Sequence, residues 1–313
     1  MAGRKGFTLI ELLVVIAIIA LLMSILAPAL TRVMEQAKNA LCLARLHQWA
    51  AIYAMYADDN DGRLTGWHKV GPGDKTYCPP GIVPGSASPT WPEPPSHEQC
   101  WVPRLRRYYA EEMKWEQVGG NWVCNAKNWD FCMCPATDKT WEDGEFRGPM
   151  TGWSFKWLHD MVSASWYYYM DSSYGSYGKN SWVTDSQEVD KYWPGSEVPG
   201  GGTWNTTRVR ETGRIPLFTD NSFPAQHIME YYAIPEERYR YVFDGEFRPC
   251  QDRHNLTINI AFLDFTVRKV GLKQLWQLYW HRNWDMTAGI PDPRDLEIWP
   301  SWLRNAPMIE LGY

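Results

Sequence analysis

The chain has 313 residues and a formal charge of −5, with 36 acidic against 31 basic side chains, and 15% of its residues are aromatic, including 19 tryptophans and 17 tyrosines. So much aromatic surface has to be buried or engaged, which excludes disorder for most of the chain, and the absence of a basic stripe argues against a nucleic-acid partner. The seven cysteines form no Cys-x-x-Cys pair, and their number favours an oxidising compartment.

Chain order begins with the one long apolar run, Phe7 to Leu30. As a helix it reaches about 36 Å, enough to cross a hydrocarbon core of about 30 Å. Arg4 and Lys5 precede it, so the positive-inside rule places the N-terminus in the cytoplasm and the bulk of the chain outside. A cleaved secretory signal, a permanent anchor and a prepilin leader all fit this outline. Ala27-Pro28-Ala29 is a weak signal-peptidase site, with proline inside it and an apolar region too long for a plain signal. Glu11 is the stronger discriminator. A carboxylate near the centre of such a helix costs about 2.5–3.5 kcal/mol on insertion scales, less near its end, and neither a signal nor a plain anchor gains anything from it.

Arg4-Lys5-Gly6-Phe7-Thr8-Leu9-Ile10-Glu11, running straight into the apolar helix, resembles the prepilin signature of type IV pilins and type II secretion pseudopilins. The resemblance implies cleavage after Gly6 by a membrane prepilin peptidase, methylation of the new N-terminal residue Phe7, and assembly through the helix. The chemistry supports this independently. Cleavage leaves an ammonium on Phe7, four residues before Glu11, and a matched pair largely offsets the desolvation that either charge alone would suffer in a low-dielectric core. An incoming subunit is then stabilised only where its Phe7 amine meets a Glu11 carboxylate. Pro28 removes one backbone hydrogen bond, so a kink or local melting is expected there. In the family, a proline at this place accompanies helix unwinding on assembly.

Beyond Leu30 the pattern turns amphipathic. Cys42, Leu46, Trp49, Tyr53 and Tyr56 make one helical stripe, with Lys38, Arg45 and Gln48 on the other side. One continuous helix is predicted over residues 7–58, hydrophobic over 7–30 and amphipathic over 31–58, after a leader of residues 1–6. Asp58-Asp59-Asn60-Asp61-Gly62 reads as its end and the following turn. Calcium is the rival reading of that acidic run, but counting back from Gly62 puts Ala57 at the first EF-hand ligand position.

Residues 59–313 read as a β-rich head. Gly71 to Pro95 is a Pro/Gly-dense loop, and Trp101 to Trp115 suits a short helix. Ser165–Tyr169, Ile215–Thr219, Tyr239–Phe243, Thr257–Leu263 and Thr266–Val270 have strand character, the last two forming a hairpin through Asp264-Phe265. No βαβ rhythm occurs, so the expected class is α+β with an antiparallel sheet. Cys42 and the helix end, Met133-Cys134-Pro135, Ser176 to Asn180, Pro216 to Asp220 and Arg253-His254 followed at nine residues by Asp264 are similar to a branch of prepilin-type proteins with a C-terminal His-x9-Asp-Gly element. Phe265 stands where that branch has glycine. The tail Gly271 to Arg282 resembles the same branch.

Chemistry-bearing patterns are sparse. No nucleophile elbow, P-loop, dinucleotide fingerprint or HExxH occurs, so no enzymatic activity and no cofactor is expected. His254 and Asp264 suggest either metal or acid–base work, or a buried His–Asp hydrogen bond fixing the hairpin. Cys124, Cys132 and Cys134 are spaced poorly for tetrahedral zinc, which leaves the metal expectation at none. Cys42 on the buried stripe can reach the head, with Cys134 its best disulfide partner. Such a bridge contributes roughly 3–5 kcal/mol. Cys78–Cys100 and Cys124–Cys132 are plausible local pairs, leaving Cys250, although spacing alone does not determine connectivity. Asn205 in a Gly-rich loop is a possible glycosylation site, and Asn255 is a poorer one because a strand is expected there. The aromatic load suits core and interface packing. Part of Trp166-Tyr167-Tyr168-Tyr169 should meet a neighbour or ligand.

These readings converge on a pilin-like homopolymer: membrane-inserted first, then an extracellular filament built with a prepilin peptidase, an inner-membrane platform and a cytoplasmic ATPase, as the resemblance implies. A periplasmic type II secretion pseudopilin is the close rival. A membrane-anchored carbohydrate-binding protein, using exposed tryptophans, is a rival of another class.

Overall fold

The computed structural model describes residues 8–65, 133–137, 174–184, 202–221, 249–287 and 290–311. It also describes residues 105, 108, 114–118, 121–125, 139–140, 151–154, 225–226, 228, 232–236 and 238. The predicted strands 165–169 and 239–243, the loop 71–95 and the aromatic run 166–169 lie outside the described residues.

Helix α1 spans Leu9–Asp59, about 76 Å at 1.5 Å per residue. It starts on a capping box. The Thr8 hydroxyl accepts from the Glu11 N–H at 3.3 Å, and Glu11 Oε2 accepts from the Thr8 N–H at 2.8 Å. Every residue from Thr8 to Lys38 is exposed. Burial begins at Cys42 and continues through Leu46, Trp49, Ala50, Ile52, Tyr53, Tyr56 and Ala57, which includes the whole predicted stripe. The helix continues without a break through Pro28 in the single chain, so the expected weakening there is not a local melting of the isolated subunit. A proline deletes one backbone bond, and the helical turns on both sides hold the segment. On the far side Arg45 is not simply solvated, for its guanidinium donates to the Met133 carbonyl. At the C-terminus the Gly62 N–H donates to the Ala57 carbonyl at 2.7 Å, while Asp61 (φ 56°) and Gly62 (φ 80°) take left-handed conformations that reverse the chain.

Ten strands follow. A hairpin pairs β1 (Lys114–Val118) with β2 (Asn121–Asn125), so the predicted helix 101–115 ends in a strand at Trp115. A small sheet holds β3 (Lys139–Thr140), β4 (Thr151–Ser154) and β5 (Tyr174–Gly175). The principal sheet contains β6 (Tyr177–Asn180), β7 (Pro216–Asp220), β8 (Ala225–Gln226), β9 (Thr257–Phe262) and β10 (Val267–Gly271), in the order β10-β9-β7-β6-β8. Its first four strands are antiparallel neighbours, as expected of this α+β chain, and the two-residue β8 adds a parallel pairing at the β6 edge.

The sheet is buried on both faces, and β9 shows how. Ala261 joins the core formed with the α1 stripe, Leu217 and Phe218, whereas Ile258, Ile260 and Phe262 join a second core with the C-terminal segment. Asn259 reaches back to α1, donating to Asn39 Oδ1 at 2.9 Å. The second core carries the buried Trp276, Trp280 and Trp299, and the first carries Trp49. These indoles pack the interior, as the core reading of the aromatic load expected. Phe265, in the β9–β10 turn, has φ 64°. A non-glycine residue there costs roughly 1–2 kcal/mol, which is the physical reason a glycine suits this position.

Gly271 marks where the C-terminal segment closes over the sheet. A Cβ built there lies 2.1 Å from the Pro307 carbonyl oxygen, and backbone cannot step aside as a side-chain tip can. Gly271→Ala is expected to lower stability by about 1–3 kcal/mol, the range for overpacking. Denaturant unfolding of the detergent-solubilised chain, followed by tryptophan fluorescence, reads this directly.

Candidate functional site

Two regions stand out: the exposed first half of α1, and a buried polar centre where α1 meets the sheet. Gly6 and Phe7 lie outside the described residues. Glu11 is placed at the very start of the helix, and its Oε2 also accepts from the Thr8 hydroxyl at 2.7 Å. The carboxylate is thus folded back toward the N-terminal end of the helix. Leu9, Ile10, Leu21, Met23, Ile25, Leu26 and Leu30 are all more than 60% exposed. Among helices of the described residues, α1 is long and apolar enough to span a bilayer. An apolar surface of this extent on one element calls for a lipid or protein partner.

The buried centre gathers Cys42 from α1, Cys134 from the loop before Pro135, Asp220 from the end of β7 and His254 from the loop before β9. All are buried, with their ligand atoms within 4.8 Å of one another. The Cys42 thiol donates to Asp220 Oδ2 at 3.3 Å, His254 Nε2 lies 3.1 Å from the same oxygen, and Cys134 Sγ lies 3.3 Å from His254 Nε2. The Tyr177 hydroxyl donates to Cys42 Sγ at 3.5 Å. Arg253, with a fully buried side chain, stands 3.6 Å from Asp220 Oδ1 and donates to the Ser176 carbonyl at 2.9 Å.

Electrostatics follow from this packing. Burial disfavours a charged imidazole, but the Asp220 carboxylate outweighs it and lifts His254 to about 10. Burial would raise Asp220, yet the charges of His254 and then Arg253 hold it below the ordinary carboxylate value. Burial pushes the Cys42 thiol up. Burial acts the same way on Cys134, but hydrogen bonds with Cys42 and His254 prevail and bring it to about 7. Cys250 is raised by burial and stands apart.

The predicted His254–Asp264 pairing is corrected. Asp264 is exposed and accepts from the Thr266 N–H at 3.0 Å, closing the β9–β10 turn. His254 precedes the six residues of β9, so the two sit at opposite ends of a strand about 20 Å long. The true partner, Asp220, was visible as an acidic residue closing an otherwise uncharged strand. Cys42 and Cys134 do meet, as thiols. Cys78, Cys100 and Cys132 lie outside the described residues, and Cys124 falls within β2. Asn205 is exposed, and so is Asn255, which precedes β9 with φ 56° instead of lying in a strand. The acidic run is used as a helix end, with Asp59 accepting from the Tyr108 hydroxyl at 2.9 Å.

A long helix, apolar and unpartnered over its first half and docked by one stripe on an antiparallel sheet, defines the class of a pilin-like protein. Residues 1–27 match the family model described as the prokaryotic N-terminal methylation motif. The chain is also similar to the type IV wide pilus major component PilA4 of Thermus thermophilus. The two are 44% identical over 61 residues, 20% of this chain and 47% of that protein, so the match spans about half the length of that relative. No solved structure matches the chain. Over its N-terminal segment the chain thus carries the N-terminal methylation motif and is similar to a type IV pilin.

Proposed function

We propose that this chain is the structural subunit of a type IV pilus-like helical filament, processed after Gly6, methylated on Phe7 and polymerised through α1. The observation that carries the reading is the uninterrupted exposure of α1 from Thr8 to Lys38, directly behind the methylation motif. Before assembly that surface lies in the inner membrane. In the fibre it packs against the same surface of other copies, and the heads coat the outside. Neither environment alone accounts for Glu11, whereas exchange between them does, because a Phe7 ammonium from a neighbour neutralises it. A prepilin peptidase, a membrane platform and a cytoplasmic ATPase are the partners this cycle requires.

Electron microscopy of the sheared surface fraction, with mass spectrometry of the N-terminal peptide, tests the reading. Filaments whose subunit begins at N-methylated Phe7 are expected. Methylated Phe7 without filaments would assign the chain to a secretion pseudopilus, and an intact Met1 or Ala2 terminus would overturn the processing.

A further inference from the structure

We propose that Cys42, Cys134, Asp220 and His254 form a closed tetrahedral site for a divalent metal ion, with zinc the ion it takes, departing from the expectation that the chain binds no metal. The donor set is two sulfurs, one imidazole nitrogen and one carboxylate oxygen, a combination that suits zinc and disfavours calcium or magnesium. Its geometry is close to what the ion needs. Zinc bond lengths imply tetrahedral edges of about 3.3 Å for N···O and about 3.5 Å for S···N and S···O. The corresponding separations here are 3.1 Å for His254 Nε2 to Asp220 Oδ2, 3.3 Å for Cys134 Sγ to His254 Nε2 and 3.3 Å for Cys42 Sγ to Asp220 Oδ2. An outward shift of a few tenths of an ångström makes room for an ion at the centre.

Charge and surroundings agree. Two thiolates and a carboxylate bring three negative charges, and a divalent ion with the buried Arg253 guanidinium brings three positive ones, so the charges of these groups cancel when the site is filled. Arg253 lies on the side of Asp220 Oδ1, the oxygen turned away from the cluster. Among the described residues no hydrogen-bond donor reaches that oxygen. The Tyr177 hydroxyl reaches the Cys42 sulfur from outside the four ligands. Both are outer groups that orient ligands and spread their charge. Binding exchanges protons for the ion: each thiol releases one, the imidazolium gives up its Nε2 proton so that the neutral ring coordinates through that nitrogen, and no electron is transferred. Four protein ligands leave no open position, so the role is structural. Cys42 is the first buried residue of the α1 stripe, and the ion would clamp the helix to the sheet where α1 leaves the head.

The test uses the full chain purified in detergent without chelator or reductant, with elemental analysis by mass spectrometry. About one zinc ion per chain is expected. Replacement by Co²⁺ should give the visible bands of tetrahedral cobalt and a near-ultraviolet thiolate charge-transfer band. Cys134→Ser should weaken that band, and Cys250→Ser, at a buried thiol outside the cluster, should leave it unchanged. A wild-type chain that holds no zinc as purified or after incubation with a zinc salt would overturn the site. So would peptide mapping that finds Cys42 and Cys134 joined by a disulfide. These results are independent of the Phe7 terminus, so the metal site and the filament reading can fail separately.

Discussion

Glu11→Ala is expected to abolish filament assembly while leaving the head folded. Two interactions end with that carboxylate, and they can be separated. One is the local cap, in which Oε2 accepts from the Thr8 N–H and hydroxyl. Losing such a cap costs about 0.5–2 kcal/mol of helix stability. The other, under the proposed filament reading, is the charge offered to the ammonium of a processed Phe7. Glutamine satisfies a capping box as glutamate does but carries no charge. Glu11→Gln should therefore fail to assemble as completely as Glu11→Ala, with sheared-fraction immunoblots and electron microscopy as the readout. Normal fibres from the glutamine variant would show that the cap suffices and that charge matching is not the assembly criterion. Both variants should match the wild type in protease resistance of the head, because Glu11 is far along the helix from the first buried position, Cys42.

Trp49→Ala carries the largest expected loss of stability, about 3–5 kcal/mol, the range for removing a large aromatic from a core. Trp49 is fully buried in the centre of the α1 stripe, its ring 6.0 Å from that of Phe218 on β7. Phe218 in turn meets Tyr53 edge-on at 5.5 Å. The substitution opens a cavity between helix and sheet, and neither rigid element can close it. Leu26→Ala is the control. Leu26 is 63% exposed on the stalk, and its truncation should change head stability by less than about 0.5 kcal/mol. Denaturant midpoints of the two variants in the same detergent check the contrast. Equal midpoints would mean that α1 does not contribute to the head's core.

Much of the architecture was legible in one dimension because it rests on local periodicity. The stripe Cys42, Leu46, Trp49, Tyr53, Tyr56 repeats at helical spacing, and each member is buried as that spacing requires. The hairpin was legible as alternating residues around a turn, down to the anomaly at Phe265, whose positive φ explains why glycine suits the position. The N-terminal motif was readable for another reason: it is a contiguous segment, so its pattern has no need of the fold.

The buried centre had no such signature. Its four side chains come from α1, a loop, β7 and the loop before β9, separated by up to 212 positions between Cys42 and His254. Sequence spacing linked His254 to Asp264, but an extended strand carries those two apart, and strand pairing brings Asp220 to His254 instead. Pro28 shows the same division. Its residue type predicts a weakened helix, while the flanking turns decide that the helix continues. By itself the sequence determined the long apolar segment, the methylation motif at its start and which helical face docks. Only the tertiary structure decided which buried polar groups meet, because that depends on sheet order and register, which no local pattern encodes.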